Sequence, residues 1–238
     1  AKIRQVNIVG NTTFEEKDII DGFELSTGNW LSFIRNNDRY SREALEGDLE
    51  KLRSFYMDRG FADFRTDDVQ VAISPDKRDI FVTISVTEGD QYTISDVKLA
   101  GEMVVPERDL QLLMLAQPGQ TFSQAVLTSA VELMAGRLGQ DGYAFAEIRA
   151  VPELDEEAKT AAITSYVDPR NRVYVRRINF NGADNVNDEV FRREMRQLEG
   201  AYLSNAAVDR SEARIRRLPF VEEVSKETVP VTGTDDLV

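Results

Sequence analysis

A repeat of about 80 residues constrains the fold of this chain more than any other feature of its sequence. Three short segments alternate polar and apolar residues and end in glycine: 3–10, 94–101 and 175–182. A glycine or proline followed by an aromatic residue comes 50, 41 and 37 residues after these endings, at Gly60, Gly142 and Pro219. Alternation with a period of two predicts strands with one buried face. The 238 residues therefore contain three copies of one unit, which we place at 1–91, 92–172 and 173–238.

Each copy predicts the element order β-α-α-β-β. The alternating strand is followed by a short helix, predicted at 14–22, 106–115 and 187–195. A longer helix comes next; in the first copy it covers 43–58, with apolar residues three or four apart at Leu45, Leu49, Leu52 and Tyr56. Two alternating strands complete the copy, at 69–73 and 80–86 in the first. The predicted class is α+β, with three tandem domains that each pack a three-stranded mixed sheet on two helices.

The ends of the copies also carry predictions. The chain begins and stops inside strand patterns, so we expect a piece of a longer protein in which the last strand of the third copy is truncated. Linkers of four residues, 88–91 and 168–171, span at most ~14 Å and predict closely spaced domains. Gly89 leaves the first linker conformationally free, whereas Pro169 fixes φ in the second. We therefore expect a narrower range of angles at the second linker.

Composition argues against most catalytic chemistry. The chain has no cysteine and no histidine, which excludes disulfides, thiolate sites and the commonest general base. A net charge of −13 disfavours nucleic acid as a partner. Acidic residues adjacent in sequence do not converge across a cleft as catalytic carboxylates do. We expect no catalytic residues, no cofactor and no metal site; a carboxylate-dependent hydrolase stays the alternative, and it requires two buried carboxylates that converge.

Four sequence runs resemble a known family. They are Ile8-Val9-Gly10-Asn11, the helix run 47–60, Thr87-Glu88-Gly89-Asp90-Gln91-Tyr92, and the Arg-rich run 192–200. Together with the β-α-α-β-β order and the short linkers, they resemble POTRA domains. Their order is similar to that of the third, fourth and fifth POTRA domains of outer-membrane β-barrel assembly factors, with the second copy the weakest match.

The resemblance implies a location and partners. It implies a non-enzymatic scaffold at the periplasmic face of the bacterial outer membrane, in a protein whose membrane barrel follows in the same chain. It implies BamB-like and BamD-like lipoproteins and unfolded outer-membrane protein clients as partners, and no nucleic acid. A POTRA array of another barrel translocation or two-partner secretion system is the alternative.

The strand at 69–74 is the first candidate binding site. If the last strand of the copy is central in the sheet, this strand is an edge with unpaired backbone groups, which can accept a partner strand. Its six residues are Val69, Gln70, Val71, Ala72, Ile73 and Ser74. The family associates this edge with partner strands and the BamB-like lipoprotein. We expect that proline at Ala72 would weaken strand addition; an ordinary edge protected by charge is the alternative.

The second candidate site is a charged cluster in the third copy, formed by Arg192, Arg196 and Glu199. The arginines are four apart, which places them on one face if the helix continues, and Glu199 follows three residues later. The resemblance implies that this segment binds the BamD-like lipoprotein. Guanidinium groups are suited to recognise carboxylates on such a partner. The alternative is a solvated helix face with a local Arg196–Glu199 pair.

An insertion in the first copy holds the only tryptophan, Trp30, within the apolar loop 28–34. We expect this loop to pack against its own domain, and contact with a partner is the alternative.

Overall fold

The computed structural model describes residues 2–24, 38–76, 78–182, 186–234 and 236–238. The Trp30 loop lies outside these residues. Contact density divides the chain into two compact units: Ala1–Asp96 with Ala116–Leu127 and Pro152–Ala162, and Val97–Leu115 with Thr128–Val151 and Ile163–Val238. Within the described residues, no helix is both long enough and apolar enough to cross a bilayer.

The first repeat forms a three-stranded mixed sheet with two helices. Its elements are β1 (Lys2–Val9), α1 (Glu16–Ile20), α2 (Asp38–Met57), β2 (Arg65–Ile73) and β3 (Asp79–Thr87). The sheet order is β1-β3-β2, with β3 parallel to β1 and antiparallel to β2. The last strand of the repeat, β3, is therefore central in the sheet, and β2 lies at the edge.

Aromatic and branched aliphatic side chains form the core of the first repeat. Leu52 and Tyr56 of α2 and Ile84 of β3 are fully buried. The Tyr56 ring stacks on Phe64 at 4.4 Å between centroids and meets Phe61 edge-on at 5.6 Å. The apolar spacing read along α2 thus marks its buried face, although the helix begins five residues before the predicted start.

A buried carboxylate closes one end of this core. Glu88 is only 6% exposed and accepts hydrogen bonds from the Thr12 hydroxyl (2.6 Å), the Tyr56 hydroxyl (2.8 Å), and the Thr13 backbone N–H and hydroxyl (3.1 and 2.9 Å). Burial opposes ionisation of Glu88, but hydrogen bonds from Thr12, Tyr56 and Thr13 outweigh it and lower its pKa to about 2. Burial and the bond to Glu88 raise the pKa of Tyr56 well above its usual value.

The second repeat has the same plan. Its elements are β4 (Thr93–Gly101), α3 (Glu107–Gln111), α4 (Gln124–Gln140), β5 (Glu147–Asp155) and β6 (Thr160–Asp168), with sheet order β4-β6-β5. Gly101 adopts φ +99°, and a Cβ there would lie 2.2 Å from the Val167 carbonyl oxygen. Gly10 has the same environment in the first repeat, 2.1 Å from the Val86 carbonyl oxygen. These strand-ending glycines let the end of the first strand and the backbone of the central strand come close to each other.

The third repeat forms its two helices, α5 (Asp188–Glu194) and α6 (Asn205–Ile215), whereas strand pairing in its described residues is limited to short bridges. Leu237 pairs in parallel with Tyr174, which lies eight residues before Gly182, just as Lys2 lies eight residues before Gly10 and pairs with Asp79. Residues 236–238 therefore take the position of a central strand.

The two linkers fold alike. Tyr92 N–H donates to the carbonyl of the helix-capping Gly60 at 2.9 Å, and Val173 N–H does the same to Gly142, also at 2.9 Å. Three residues before these donors, Gly89 and Arg170 adopt left-handed φ values of 74° and 57°. The structural counterpart of Gly89 is therefore Arg170 and not Pro169, so the two linkers share one backbone bend.

Candidate partner-binding surfaces

The outer edge of β2 presents free backbone groups. Ser74 N–H donates to the Asp79 carbonyl at 2.9 Å, and the β2–β3 register continues from there without a shift to Asp68. In an antiparallel ladder, alternate residues bond to the neighbouring strand. The N–H and C=O groups of Val69, Val71 and Ile73 therefore point outward. No residue in the described part of the chain hydrogen-bonds to this outer row.

The same alternation corrects the expectation about Ala72. Its backbone faces Phe81 on β3, so proline at Ala72 would break the sheet's own ladder before it affected a partner. Val71 is the position whose N–H is free for a partner. All six predicted edge residues lie together as expected, with Ser74 at the turn, where its hydroxyl accepts from Asp79 N–H at 2.9 Å.

Two apolar side chains on β2 are uncovered. Val71 pairs with the buried Val82 and so lies on the core-facing side of the sheet, yet it is 53% exposed. Ile73 pairs with Ile80 on the same side and is 60% exposed. No charged residue interrupts the stretch 69–73. This edge lacks the charges, prolines and bulges that usually block strand addition over those residues.

The equivalent edge of the second repeat is protected. Strand β5 carries Pro152, which has no N–H, and four charged residues: Glu147, Arg149, Glu153 and Asp155. Both features discourage pairing with another chain. The two edges therefore differ in chemistry although they occupy the same place in the fold, and β5 is a natural control for β2.

Arg192 and Glu199 form the centre of the charged cluster. Glu199 accepts from the Ile178 backbone N–H at 2.7 Å and from Arg192 Nη1 at 3.2 Å, and these two bonds lower the pKa of its carboxyl. Arg192 also donates to the Ile178 carbonyl at 3.1 Å and lies 5.6 Å from the Phe180 ring. Arg192, rather than Arg196, is thus the partner of Glu199.

Arg196 lies beyond the helix. Helix α5 ends at Glu194, and Met195 is extended, so Arg192 and Arg196 do not share a helical face as the spacing suggested. The Arg196 N–H donates to Ser211 Oγ at 2.7 Å, and its guanidinium donates to the Met195 carbonyl at 3.0 Å. Within the described residues, Arg196 has no carboxylate partner. It is therefore available to an acidic partner.

Sequence reasoning missed Leu198. Its side chain is 65% exposed between Arg196 and Glu199, although the loop around it is held firmly. The buried Gln197 donates to the carbonyls of Leu198 and Tyr202 and accepts from Ser204 N–H. A single leucine among polar residues gives no periodic signal, so only the structure reveals this apolar point within the cluster.

Several pairs of adjacent acidic residues occur in the part of the chain that the structure describes, and three of them lie outside the helices. They are exposed, and Asp67 is occupied by the Thr87 hydroxyl (2.6 Å) and Arg65 (3.0 Å). Among the residues that the structure describes, no group of acidic side chains is arranged to hold a metal ion. The pairs are Asp67-Asp68, Glu156-Glu157 and Glu222-Glu223.

Comparison with known proteins places the chain in a family. Residues 1–89, 92–170 and 173–238 each match POTRA, described as a surface antigen variable number repeat. These segments cover most of the sequence, and the chain belongs to the POTRA family. No enzymatic family is indicated.

Within that family, the chain is similar to the outer membrane protein assembly factor BamA. The Neisseria meningitidis protein is 29% identical over 239 residues, which cover 100% of this chain and 30% of that protein. The Buchnera aphidicola protein is 27% identical over 94% of this chain and 36% of that protein. The crystal structure of Haemophilus influenzae BamA POTRA3-5 matches with a TM-score of 0.85 and 27% identity, covering 100% of this chain and 93% of that one. The predicted likeness to POTRA domains three to five is confirmed. The chain spans about a third of the length of the curated relatives that it matches.

Proposed function

We propose that this chain is a non-enzymatic scaffold that holds client strands and assembly lipoproteins at the periplasmic face of the outer membrane. Clients and the BamB-like lipoprotein add a strand to the β2 edge at Val69–Ser74. The observation that carries the proposal is the open row of backbone groups at Val69, Val71 and Ile73, beside uncovered apolar side chains. Backbone hydrogen bonds provide affinity without demanding one sequence, which suits many clients.

A second surface binds the BamD-like lipoprotein through the cluster Arg192, Arg196 and Glu199. Arg192 and Glu199 hold each other and fix the loop, which leaves the Arg196 guanidinium and the exposed Leu198 to meet the partner. Protein interfaces commonly surround an apolar centre with a polar rim, and arginine is enriched among the residues that contribute most to binding.

The names of the relatives support a cellular setting. They are outer membrane protein assembly factors, which supports our proposal that this chain lies at the periplasmic face of the outer membrane, in a protein that also has a membrane barrel. The net charge of −13 supports a protein partner in preference to nucleic acid.

Proline at Val71 tests the edge. Val71→Pro removes an outward N–H without removing a bond to β3, whereas Val71→Ala keeps that N–H and shortens the side chain. We expect Val71→Pro to weaken binding of an unfolded outer-membrane protein at least tenfold and Val71→Ala to weaken it less, by fluorescence anisotropy with labelled client. Circular dichroism checks that both variants fold. Equal binding by wild type and Val71→Pro would reject strand addition at β2.

Charge reversal at Arg196 tests the second surface. Arg196→Glu should weaken binding of a purified BamD-like lipoprotein by about 1–3 kcal/mol in calorimetry, because it replaces an unpaired cation with an acid. Arg108→Glu in α3 is the control with the same change of charge in another repeat. Glu199→Lys should also weaken binding, since it breaks the bonds to Arg192 and Ile178 that shape the loop. Unchanged affinity in Arg196→Glu would return the cluster to an ordinary solvated surface.

A further inference from the structure

We propose that the β2 edge selects among strands: it favours a segment of about six residues with apolar side chains on its inner face and a lysine or arginine opposite Asp68. This inference rests on the proposed function and specifies the chemistry of the strand that binds. It derives from the register of β2, from the exposure of its side chains and from the charge of Asp68 at one end of the edge.

The inner face of the incoming strand is set by Val71 and Ile73. Residues directly opposite each other in neighbouring strands point to the same face of a sheet. A residue opposite Val71 or Ile73 therefore lies on the side of the core, next to side chains that are 53% and 60% exposed. An apolar residue covers them, whereas a polar residue there loses its water without gaining a partner.

The outer face carries a charge preference. Asp68, Gln70 and Ala72 alternate with the inner residues and point to the other side of the sheet. The Asp68 carboxylate accepts from Gln70 Nε2 at 2.9 Å and pairs with no cation in the described structure. Its neighbour Asp67 is different, because Thr87 and Arg65 already hold it. Asp68 is thus the acid available to a cation on an added strand.

The length of the segment is limited at both ends. The β2–β3 register shifts between Thr66 and Asp68, which ends the regular edge on one side. On the other side, Ser74 bonds Asp76 and Asp79 and begins the turn. The regular edge therefore runs over residues 68–73, and a partner strand pairs with about six residues before it must leave.

Capped peptides of equal length test the selection. The first two carry alternating valine and serine with lysine at the amino or the carboxyl end, so that one of them places lysine opposite Asp68 whichever way the strand runs. A third peptide replaces the lysine of the better-binding lysine peptide with glutamine. A fourth has the same composition as the first, with the alternation of valine and serine scrambled. Affinities are measured from the amide shifts of Val69, Val71 and Ile73 in the isotope-labelled chain.

The better lysine peptide is expected to bind about two- to five-fold tighter than the glutamine peptide at low salt, in line with exposed ion pairs. The scrambled peptide should be weaker by a similar factor for each valine displaced. Asp68→Asn and about 0.5 M salt should abolish the lysine advantage, whereas Glu153→Gln on β5 should leave it intact.

Equal affinities for the lysine and glutamine peptides, or for alternating and scrambled peptides, would overturn the selection while leaving strand addition in place. A lysine advantage that survives Asp68→Asn would overturn the role of Asp68. If no peptide shifts the β2 amides, the inference and the proposed function fail together.

Discussion

Replacing Glu88 with glutamine changes a single buried carboxylate at the end of the first repeat. The carboxylate accepts from two threonine side chains, a backbone N–H and the Tyr56 hydroxyl. A glutamine amide at this position would turn two hydrogens toward groups that are themselves donors. The substitution keeps the size of the side chain, so the loss measures charge and hydrogen bonding rather than packing.

The contribution of ionised Glu88 to the free energy of unfolding follows from its pKa, which lies at about 2 in the folded state against a usual value of 4.5. One unit of pKa corresponds to about 1.4 kcal/mol, so the ionised form stabilises the folded state by about 3 kcal/mol. Because the folded pKa is the lower one, this stability is fully present above about pH 5 and is lost as the pH falls toward 2.

Urea unfolding of wild type and Glu88→Gln at several pH values provides the assay, with Glu153→Gln on the exposed β5 edge as control. We expect the free energy of unfolding of Glu88→Gln to be lower than that of wild type by about 3 kcal/mol at pH 7, and by about half as much near pH 3. The control should differ from wild type by less than about 0.5 kcal/mol. A difference for Glu88→Gln that is small at pH 7, or constant with pH, would refute the assignment of Glu88 as a stabilising carboxylate.

Three further changes have defined outcomes. Gly101→Ala places a Cβ against the Val167 carbonyl at a left-handed φ and should cost more than about 2 kcal/mol in urea unfolding; a neutral result would contradict the close approach. Gly136→Ala, in α4 with open space around it, should stabilise by up to about 1 kcal/mol in the same assay, and a loss of stability would contradict the exposed position. Lys159→Met removes the ion pair to Asp90 and should make the backbone of residues 88–91 more mobile, as measured by nitrogen-15 NMR relaxation. Unchanged relaxation would show that this pair does not restrain the linker.

The sequence was sufficient for most of the fold. Glycines at fixed points and alternating apolar residues predicted the strands of the first two repeats, because both properties are local. In the third repeat the segment 175–182 has the same pattern, but the described residues pair there only through isolated bridges at Tyr174. The apolar spacing that included Leu52 and Tyr56 likewise marked the buried face of α2. Helix ends were less accurate: the short helix predicted at 106–115 covers only Glu107–Gln111, since its apolar pattern continues into a turn that packs on the core.

The candidate sites needed three-dimensional information. The edge position of β2 could be argued from strand order, but the direction of each N–H depends on register, and a shift of one residue reverses it. That is why Ala72 was the wrong place for proline. The Arg192–Glu199 pair joins residues seven apart around the end of α5, which no helical spacing rule anticipates. The exposure of Leu198 depends on the buried Gln197, whose partners lie elsewhere in the loop.

Amide hydrogen exchange along β2, with and without an unfolded outer-membrane protein, tests the central claim most directly. Strand addition predicts that Val69, Val71 and Ile73 gain protection on binding, because their N–H groups point outward. Gln70 and Ala72, which already bond β3, should change little, and so should the amides of β5. Protection that rises evenly along β2, or that appears on β5 and not on β2, would contradict binding through this edge.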